Sequence, residues 1–263
     1  MSHHIVEAQD LHFTYPDGTK VLRGISFLIT HGESVAIVGA NGAGKSTLLL
    51  HLNGYLTSTT GVIRIGDSRL LPENLKQVRR AVGLVFQDPD DQLFMPTVFD
   101  DVAFGPLNMG LSAAEVQTRV RTALETVGAW HLHDRPPYRL SGGEKRSVAI
   151  ATVLSMSPDI LVMDEPSSNL DPKSRRGLID LLKGFTHTKI IATHDLDMVM
   201  DLCRRTLVIR EGKIIADGPT GEIMHNEELL ASSNLEKPLG LRPCHICAEG
   251  IQKGTGGGDT VTR

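Results

Sequence analysis

Gly39-Ala-Asn-Gly-Ala-Gly-Lys-Ser46 follows the spacing G-x-x-x-x-G-K-[ST]. Glycine reaches backbone conformations closed to other residues, so Gly39, Gly42 and Gly44 can aim successive N–H groups at phosphate oxygens. Lys45 would then meet β- and γ-phosphate oxygens, and the Ser46 hydroxyl would ligate Mg²⁺. A glycine-rich turn with an incidental lysine is the plainer reading. The flanks argue against it: the apolar run Ser34–Val38 reads as a buried strand, and Ser46-Thr-Leu-Leu-Leu-His-Leu52 reads as a helix.

A second apolar run, Ile160–Met163, ends in Asp164-Glu165. Two carboxylates at the end of a buried strand stand where open α/β sheets bind ligands. Asp164 suits a Mg²⁺ shell and Glu165 suits polarising an attacking water, the two needs of phosphoryl transfer. Alone the pair would be a helix N-cap; beside a phosphate loop the chemical reading gains. Leu140-Ser-Gly-Gly-Glu-Lys-Arg146 precedes another apolar run, with Ser141 and Glu144 spaced as a capping box. Ser141, Gly142 and Gly143 leave N–H groups exposed at a helix start, which makes a second anion site.

The elements that would position these groups alternate in type. Ile5–Tyr15, the turn Pro16-Asp-Gly18 and Val21–Ile29 read as an opening antiparallel β element. Further buried strands are expected at Val82–Phe86, Ile160–Met163 and Lys189–Thr193, separated by helices, giving an α/β doubly wound core. Between Asp88 and Arg139 the pattern turns helical. Thr97 and Ser112 are the expected N-caps, Ser112 with Glu115 forms a capping box, Val116, Val120, Leu124 and Val127 share a face, and Gly128 stops the helix. Thr206–Ile209 and Lys213–Ala216 flank Glu211-Gly212 as a hairpin, and Gly254–Arg263 is expected to be disordered.

Composition sets outer limits. The chain has 263 residues, enough for one large domain or two modest ones, and its apolar runs are too short for a membrane-spanning helix. Its 27 Lys and Arg against 31 Asp and Glu give a net charge of −4, which disfavours nucleic acid as a partner. The three cysteines, Cys203, Cys244 and Cys247, form no disulfide framework and fit a reducing compartment. No secretory signal is expected in Met1-Ser-His-His.

Taken together, the motifs resemble those of ATP-binding cassette (ABC) ATPases, in the family's order. Leu140–Glu144 is similar to the signature sequence, and Gly39–Thr47, with Asn41 and Ala43 inside it, resembles the Walker A loop. Gln87 resembles the Q-loop glutamine, Ile160–Glu165 Walker B, Ser168–Asp171 the D-loop and His194 the H-loop. Tyr15 stands where the family stacks an aromatic on adenine, and Val21 where a side chain packs on the nucleoside. The resemblance spans about residues 5–225 and implies a P-loop NTPase (RecA-like) core with an N-terminal antiparallel β subdomain and an inserted α-helical subdomain, about 88–148. Residues 1–225 form the ATPase domain on this reading, and 226–263 a partly disordered C-terminal extension.

The resemblance further implies ATP and Mg²⁺ as cofactors, with Gln87 joining Ser46 and Asp164 at the metal. It implies a head-to-tail pair of cassettes, most simply a homodimer. In that pair Ser141, Gly142, Gly143 and Glu144 of one chain meet the ATP of the other, and His194 supports the water held by Glu165. Gln87-Asp-Pro-Asp-Asp-Gln-Leu-Phe94 and Thr97–Pro106 resemble ATPases of energy-coupling-factor importers, Gln92 included, and the cobalt and nickel members most closely. Integral membrane subunits as partners and a place on the cytoplasmic face of the membrane follow. Leu93, Phe94 and Met95 are an apolar cluster for that contact or for ordinary packing.

A vitamin or other small solute is the alternative cargo. A soluble ATP-driven clamp would bring a long heptad coiled coil or a second cassette, and neither is visible; a kinase or GTPase would not need Leu140–Glu144. Cys244-His-Ile-Cys247 is half a zinc site without its other half, and His3-His4 and His131-Leu-His133 carry no assignment. Loss of Cys244 and Cys247 is expected to leave ATPase activity intact.

Overall fold

The computed structural model describes residues 4–58 and 60–242. The chain opens with β1 (His4–Thr14) and β2 (Lys20–Thr30), antiparallel across the turn expected from Pro16-Asp-Gly18. It enters the second sheet as β3 (Ser34–Val38), passes through α1 (Lys45–Leu52), and returns to the first as β4 (Thr60–Ile65) and β5 (Ser68–Arg69). The return of β4 against β1 was not legible in the sequence. Its close approach is specific: Asp10 bulges at a positive φ of 46°, and a Cβ on Gly61 would lie 2.4 Å from the Asp10 carbonyl oxygen.

After α2 (Leu75–Ala81) comes β6 (Val82–Val85), then a helical insertion of α3 (Val98–Asn108), α4 (Ala113–Thr126) and α5 (Gly142–Leu154). The remaining core is β7 (Ile160–Asp164), α6 (Pro172–Gly184), β8 (Thr188–Ala192), α7 (Leu196–Leu202), β9 (Arg205–Arg210) and β10 (Lys213–Pro219), closed by α8 (Thr220–His225) and α9 (Glu227–Ser232). The six-stranded sheet runs β10-β9-β3-β8-β7-β6, parallel except for β10.

Pleating explains why β3 and β7 read as continuous apolar runs. Val35, Ile37, Ile160 and Val162 face one core beneath the antiparallel sheet, while Ala36, Val38, Leu161 and Met163 face a second core under α6 and α7. The insertion has its own core of Val98, Val102, Val116, Val120, Leu124 and Val148. Its expected caps are present: Thr97 accepts from the Asp100 N–H, Ser112 and Glu115 form the capping box, and Gly128 ends the turn at φ 70°. Val127, expected on the buried face, is only partly buried.

The hairpin at Glu211-Gly212 has φ values of 50° and 76°, the geometry of a two-residue primed turn. A Cβ on Gly212 would meet the Val21 carbonyl oxygen at 2.1 Å. Gly212 donates to the Ala43 carbonyl (3.1 Å) and accepts from the Arg23 N–H (2.9 Å), so the hairpin tip ties the phosphate loop to β2. Beyond residue 225 the fold continues: Leu230 of α9 is buried with Ile223 and Met224, and Asp197 accepts from the Leu239 and Gly240 N–H groups. His3, Cys244, Cys247 and Gly254–Arg263 lie outside the described residues.

Candidate functional site

Parallel strands end at one edge, so the loops after β3, β6, β7 and β8 leave the sheet side by side. They bring Gly39–Gly44, Gln87, Asp164-Glu165 and His194 into one region, although 155 positions separate the first from the last in sequence (194 − 39). A cavity of about 550 Å³ opens there, lined by Tyr15, Thr19, Val21, Asn41, Gly42, Gly44, Lys45, Ser46, Thr47, Gln87, Glu165 and His194. That volume is in the range of small-molecule pockets. Thr19 is the member that sequence reasoning passed over.

The loop that starts the cavity is shaped by its glycines. A Cβ on Gly39 would lie 2.2 Å from the Ile209 carbonyl oxygen, and Gly44 sits at φ 107° against Val21 and Leu22. Lys45 is buried, and its ammonium donates to the carbonyls of Gly39 (2.8 Å) and Ala40 (3.2 Å) at the centre of the loop. Ala43 is buried behind it and carries the tie to Gly212. The Tyr15 hydroxyl lies 3.2 Å from Thr47 Oγ1, and Phe13 packs edge-on to the Tyr15 ring at 4.8 Å.

Glu165 is the most constrained carboxylate of the site. It is 6% exposed and adopts φ 43°, a conformation rare outside glycine that persists only where its surroundings hold it. Its Oε2 accepts from Thr193 Oγ1 (2.9 Å) and the His194 N–H (3.2 Å), and His194 Nδ1 lies 2.9 Å away. Its other oxygen is 3.8 Å from the Lys45 ammonium. The His194 side chain is 65% exposed, so it reaches from this anchor into the cavity. Thr193 was not singled out from sequence; only its place before His194 at the end of β8 could have marked it.

Asp164 tests whether the site suits a divalent cation. It is 8% exposed, the Ser46 hydroxyl is bonded to it, and its Oδ1 is buried with no partner among the described residues. Hard cations take oxygen donors, and an orphaned carboxylate oxygen beside a hydroxyl is a donor set that fits Mg²⁺. Burial holds the Asp164 carboxyl above the ordinary carboxylate range and Glu165 adds to this, against the pull of Ser46, Lys45 and Arg146. A carboxyl held higher in the folded state than in the unfolded one loses stability as pH rises through the interval between the two values. Asp164→Asn is therefore expected to remove that slope and raise the nucleotide-free melting temperature at neutral pH, while the Mg²⁺ dependence of ATP binding is lost. Melting curves at pH 5 and 7.5 read it; a lower melting temperature at pH 7.5 would show that Asp164 stabilises the fold instead.

The signature residues stand elsewhere. Ser141 caps α5, accepting from the Glu144 N–H while Glu144 accepts from the Ser141 N–H and hydroxyl, which holds the Glu144 carboxyl below its usual range. Ser141, Gly143 and Glu144 line a cavity of about 480 Å³ beside α6, and Gly142 lines another of about 370 Å³ with Gln87 and Asn169. None of the four lines the Lys45 cavity. Gly143 is packed, since a Cβ there would lie 2.7 Å from Ser174 Oγ, whereas Gly142 faces open space. Ser141–Glu144 and the Lys45 cavity therefore stand apart in the chain. Sequence reasoning also missed Asp195, which caps α7, takes a two-pronged bond from Arg175 (2.6 and 2.7 Å) and accepts from Ser167, fixing the segment after His194 to the one after Glu165.

A family model described as ABC transporter matches residues 22–168. A putative ABC transporter ATP-binding protein of Geobacter sulfurreducens is 69% identical, covering 94% of this chain and 99% of its own length. The energy-coupling factor transporter ATP-binding protein EcfA of Carboxydothermus hydrogenoformans is 46% identical over 89% of this chain and 87% of its own. Among solved structures, cbiO1 of Clostridium perfringens, part of the ABC transporter complex cbiONQ, superposes with a TM-score of 0.78 at 40% identity, covering 89% of this chain and 95% of that one.

Proposed function

This chain belongs to the ABC transporter family and is an ATPase, and from that premise we propose that it powers an energy-coupling-factor importer for cobalt or nickel ions through separate membrane subunits. The cassette works as a pair on the cytoplasmic face of the membrane. Similarity to EcfA supports the importer class, and the likeness of residues 87–94 and 97–106 to the cobalt and nickel members supports the cargo. Among the described residues no helix is long and apolar enough to cross a membrane.

The observation that carries the membrane contact is an apolar groove of about 790 Å³ between α2 and the helical insertion, lined by Leu75, Leu84, Phe86, Phe94, Phe104 and Met156. Phe94 and Phe104 are 64% and 45% exposed and meet edge-on at 5.1 Å. Leu93 is buried in the helical core instead, so the apolar cluster read from sequence divides between packing and surface. Asp101 lines the groove at 3% exposure; its Oδ1 accepts from the Phe94 and Met95 N–H groups, and its buried Oδ2 has no partner among the described residues. Such a groove fits a helix of a membrane subunit that brings apolar side chains to the two rings.

For the reaction, the Walker A loop cradles the triphosphate with Lys45 at the β/γ oxygens, Tyr15 stacks on adenine and Val21 packs on the nucleoside. Asn41, Gly42, Ala43, Gly44 and Thr47 complete the cradle. Ser46, Gln87 and Asp164 would hold Mg²⁺, which neutralises phosphate charge when bound. Glu165 draws the proton side of the attacking water toward its carboxylate, already fixed by Thr193, and His194 reaches the γ-phosphate from the same anchor. Ser141, Gly142, Gly143 and Glu144 act on the ATP of the second cassette, which accounts for their distance from Lys45.

Co-expression with the membrane subunits and affinity capture test the docking surface. Phe94→Asp with Phe104→Asp is expected to reduce recovery of the complex about tenfold or more, with ATP affinity of the free chain unchanged, since a charge in an apolar contact costs over about 1.4 kcal/mol. Full recovery would place the contact elsewhere. Uptake of cobalt or nickel by cells carrying the complex, lost in Glu165→Gln, supports the cargo; ATP-dependent uptake of a vitamin instead would replace it.

A further inference from the structure

Tyr15 borders the Lys45 cavity from the turn that follows β1. Its N–H donates to the Thr19 carbonyl (2.9 Å), and its own carbonyl accepts from the Gly18 N–H (2.9 Å). Those bonds fix the backbone and leave the ring to be placed by its neighbours. Phe13, 8% exposed, meets the ring edge-on at 4.8 Å, and the hydroxyl lies 3.2 Å from Thr47 Oγ1.

Behind Phe13 stands His51, in the last turn of α1 and fully buried. Its ring meets Phe13 edge-on at 4.7 Å, and its Nδ1 lies 2.7 Å from the Thr47 carbonyl. A carbonyl only accepts, so Nδ1 carries the proton and Nε2 is the bare nitrogen. Nε2 is buried without a hydrogen-bond partner among the described residues, and burial pulls the imidazole pKa down against the carbonyls of Thr47 and Thr57. A leucine, like Leu48, Leu49 and Leu52 of the same helix, would fill the core without an unpaired nitrogen. Packing alone therefore does not account for an imidazole here. Its orientation does: one edge is pinned to the helix backbone while the ring meets Phe13.

The contacts close on themselves, from His51 to Phe13, Phe13 to Tyr15, Tyr15 to Thr47, and Thr47 back to His51. We propose, on the reading that Tyr15 stacks on adenine, that His51 is a positioning residue for the nucleotide base: through Phe13 and Thr47 it sets the plane of Tyr15 before ATP arrives, and so lets the site favour a base-bearing nucleotide over a bare triphosphate. A ring fixed in advance meets the base without first losing its own rotational freedom. The phosphate loop is held by other bonds, those of Lys45 to Gly39 and Ala40 and of Gly212 to Ala43, so the effect is confined to the base.

The test titrates the full chain with Mg-ATP and with Mg-tripolyphosphate, which offers phosphates without a base, in the Glu165→Gln form so that turnover does not intrude. Tyr15→Ala is expected to weaken ATP binding about tenfold or more, the loss of one base–aromatic stack. His51→Leu should weaken ATP about three- to tenfold, part of that stack, and tripolyphosphate by less than about twofold. Added to Tyr15→Ala, His51→Leu should cost less than about twofold more, because no ring is left for it to position. Phe13→Leu, which removes the ring between the two, should reproduce the His51→Leu pattern and decides the matter if His51→Leu fails to fold.

Unchanged ATP affinity in a folded His51→Leu or Phe13→Leu chain overturns the proposal. So does an equal loss for ATP and tripolyphosphate, which would make His51 a support of the phosphate-binding helix alone, and so does a loss that adds in full to that of Tyr15→Ala. ATP affinity indifferent to Tyr15→Ala is a different failure, that of the stacking reading itself, and it removes the role of His51 with it.

Discussion

Glu165→Gln is expected to lower ATP hydrolysis by about 10²–10⁴-fold, the usual loss when a positioned base is removed, with ATP affinity retained. The substitution keeps shape and leaves one oxygen to accept from Thr193, but removes the negative charge that would polarise the attacking water on the proposed reading. Lys45 keeps its bonds to the Gly39 and Ala40 carbonyls in the variant, so the loop that ATP binding needs is retained. The blocked chain should accumulate as an ATP-dependent dimer in sedimentation, and wild-type specific activity should rise with protein concentration. Ser141→Arg, placed at an exposed helix start, should prevent that dimer while leaving monomer ATP binding intact. A chain that stays monomeric under all conditions, with activity independent of concentration, would remain a P-loop ATPase but contradict the two-chain site. A dimer indifferent to Ser141→Arg would place the contact on another surface.

Lys45→Ala is expected to weaken Mg-ATP binding about 100-fold, close to 3 kcal/mol, since it removes charge-assisted bonds that backbone N–H groups alone do not replace. The substitution also leaves Glu165, 6% exposed, without the ammonium 3.8 Å away. A small loss of nucleotide-free stability should accompany the lost affinity. Nucleotide titration with a melting curve on the same sample separates the two effects. Wild-type affinity in a folded Lys45→Ala chain would take the β/γ role away from this side chain.

The two experiments touch opposite ends of one short array. Lys45, Glu165, Thr193 and His194 form a continuous set of contacts, so their effects should not add. Asp164 adjoins the same array through the burial and charge it shares with Glu165, and its Asn variant is expected to change the Mg²⁺ dependence of ATP binding more than hydrolysis at saturating Mg²⁺.

Features that depend on neighbours within a few positions are legible in the order of residues alone. The glycine spacing from Gly39 to Gly44, the capping boxes Ser112/Glu115 and Ser141/Glu144, the hairpin turn at Glu211-Gly212 and the buried strands all follow from local conformational preference and from periodicity. The order of the motifs was sufficient to expect a cassette, and the fold followed. Tertiary structure decided what depends on residues distant in the chain. Thr193 became a holder of Glu165 because β8 lies beside β7, and Arg146 became a clamp because α5 returns against residues 86–87. Threonine and arginine at those positions would read equally well as strand and helix surface, since a side chain's partners across the fold leave no mark on its local pattern. Asp101 is the same case: a carboxylate in the first turn of α3 looks like helix-dipole chemistry, and only packing buries it beside an apolar groove with one oxygen unpartnered among the described residues. Propensity acts over one or two turns of chain, while burial and pairing are settled where the sheet and its helices meet.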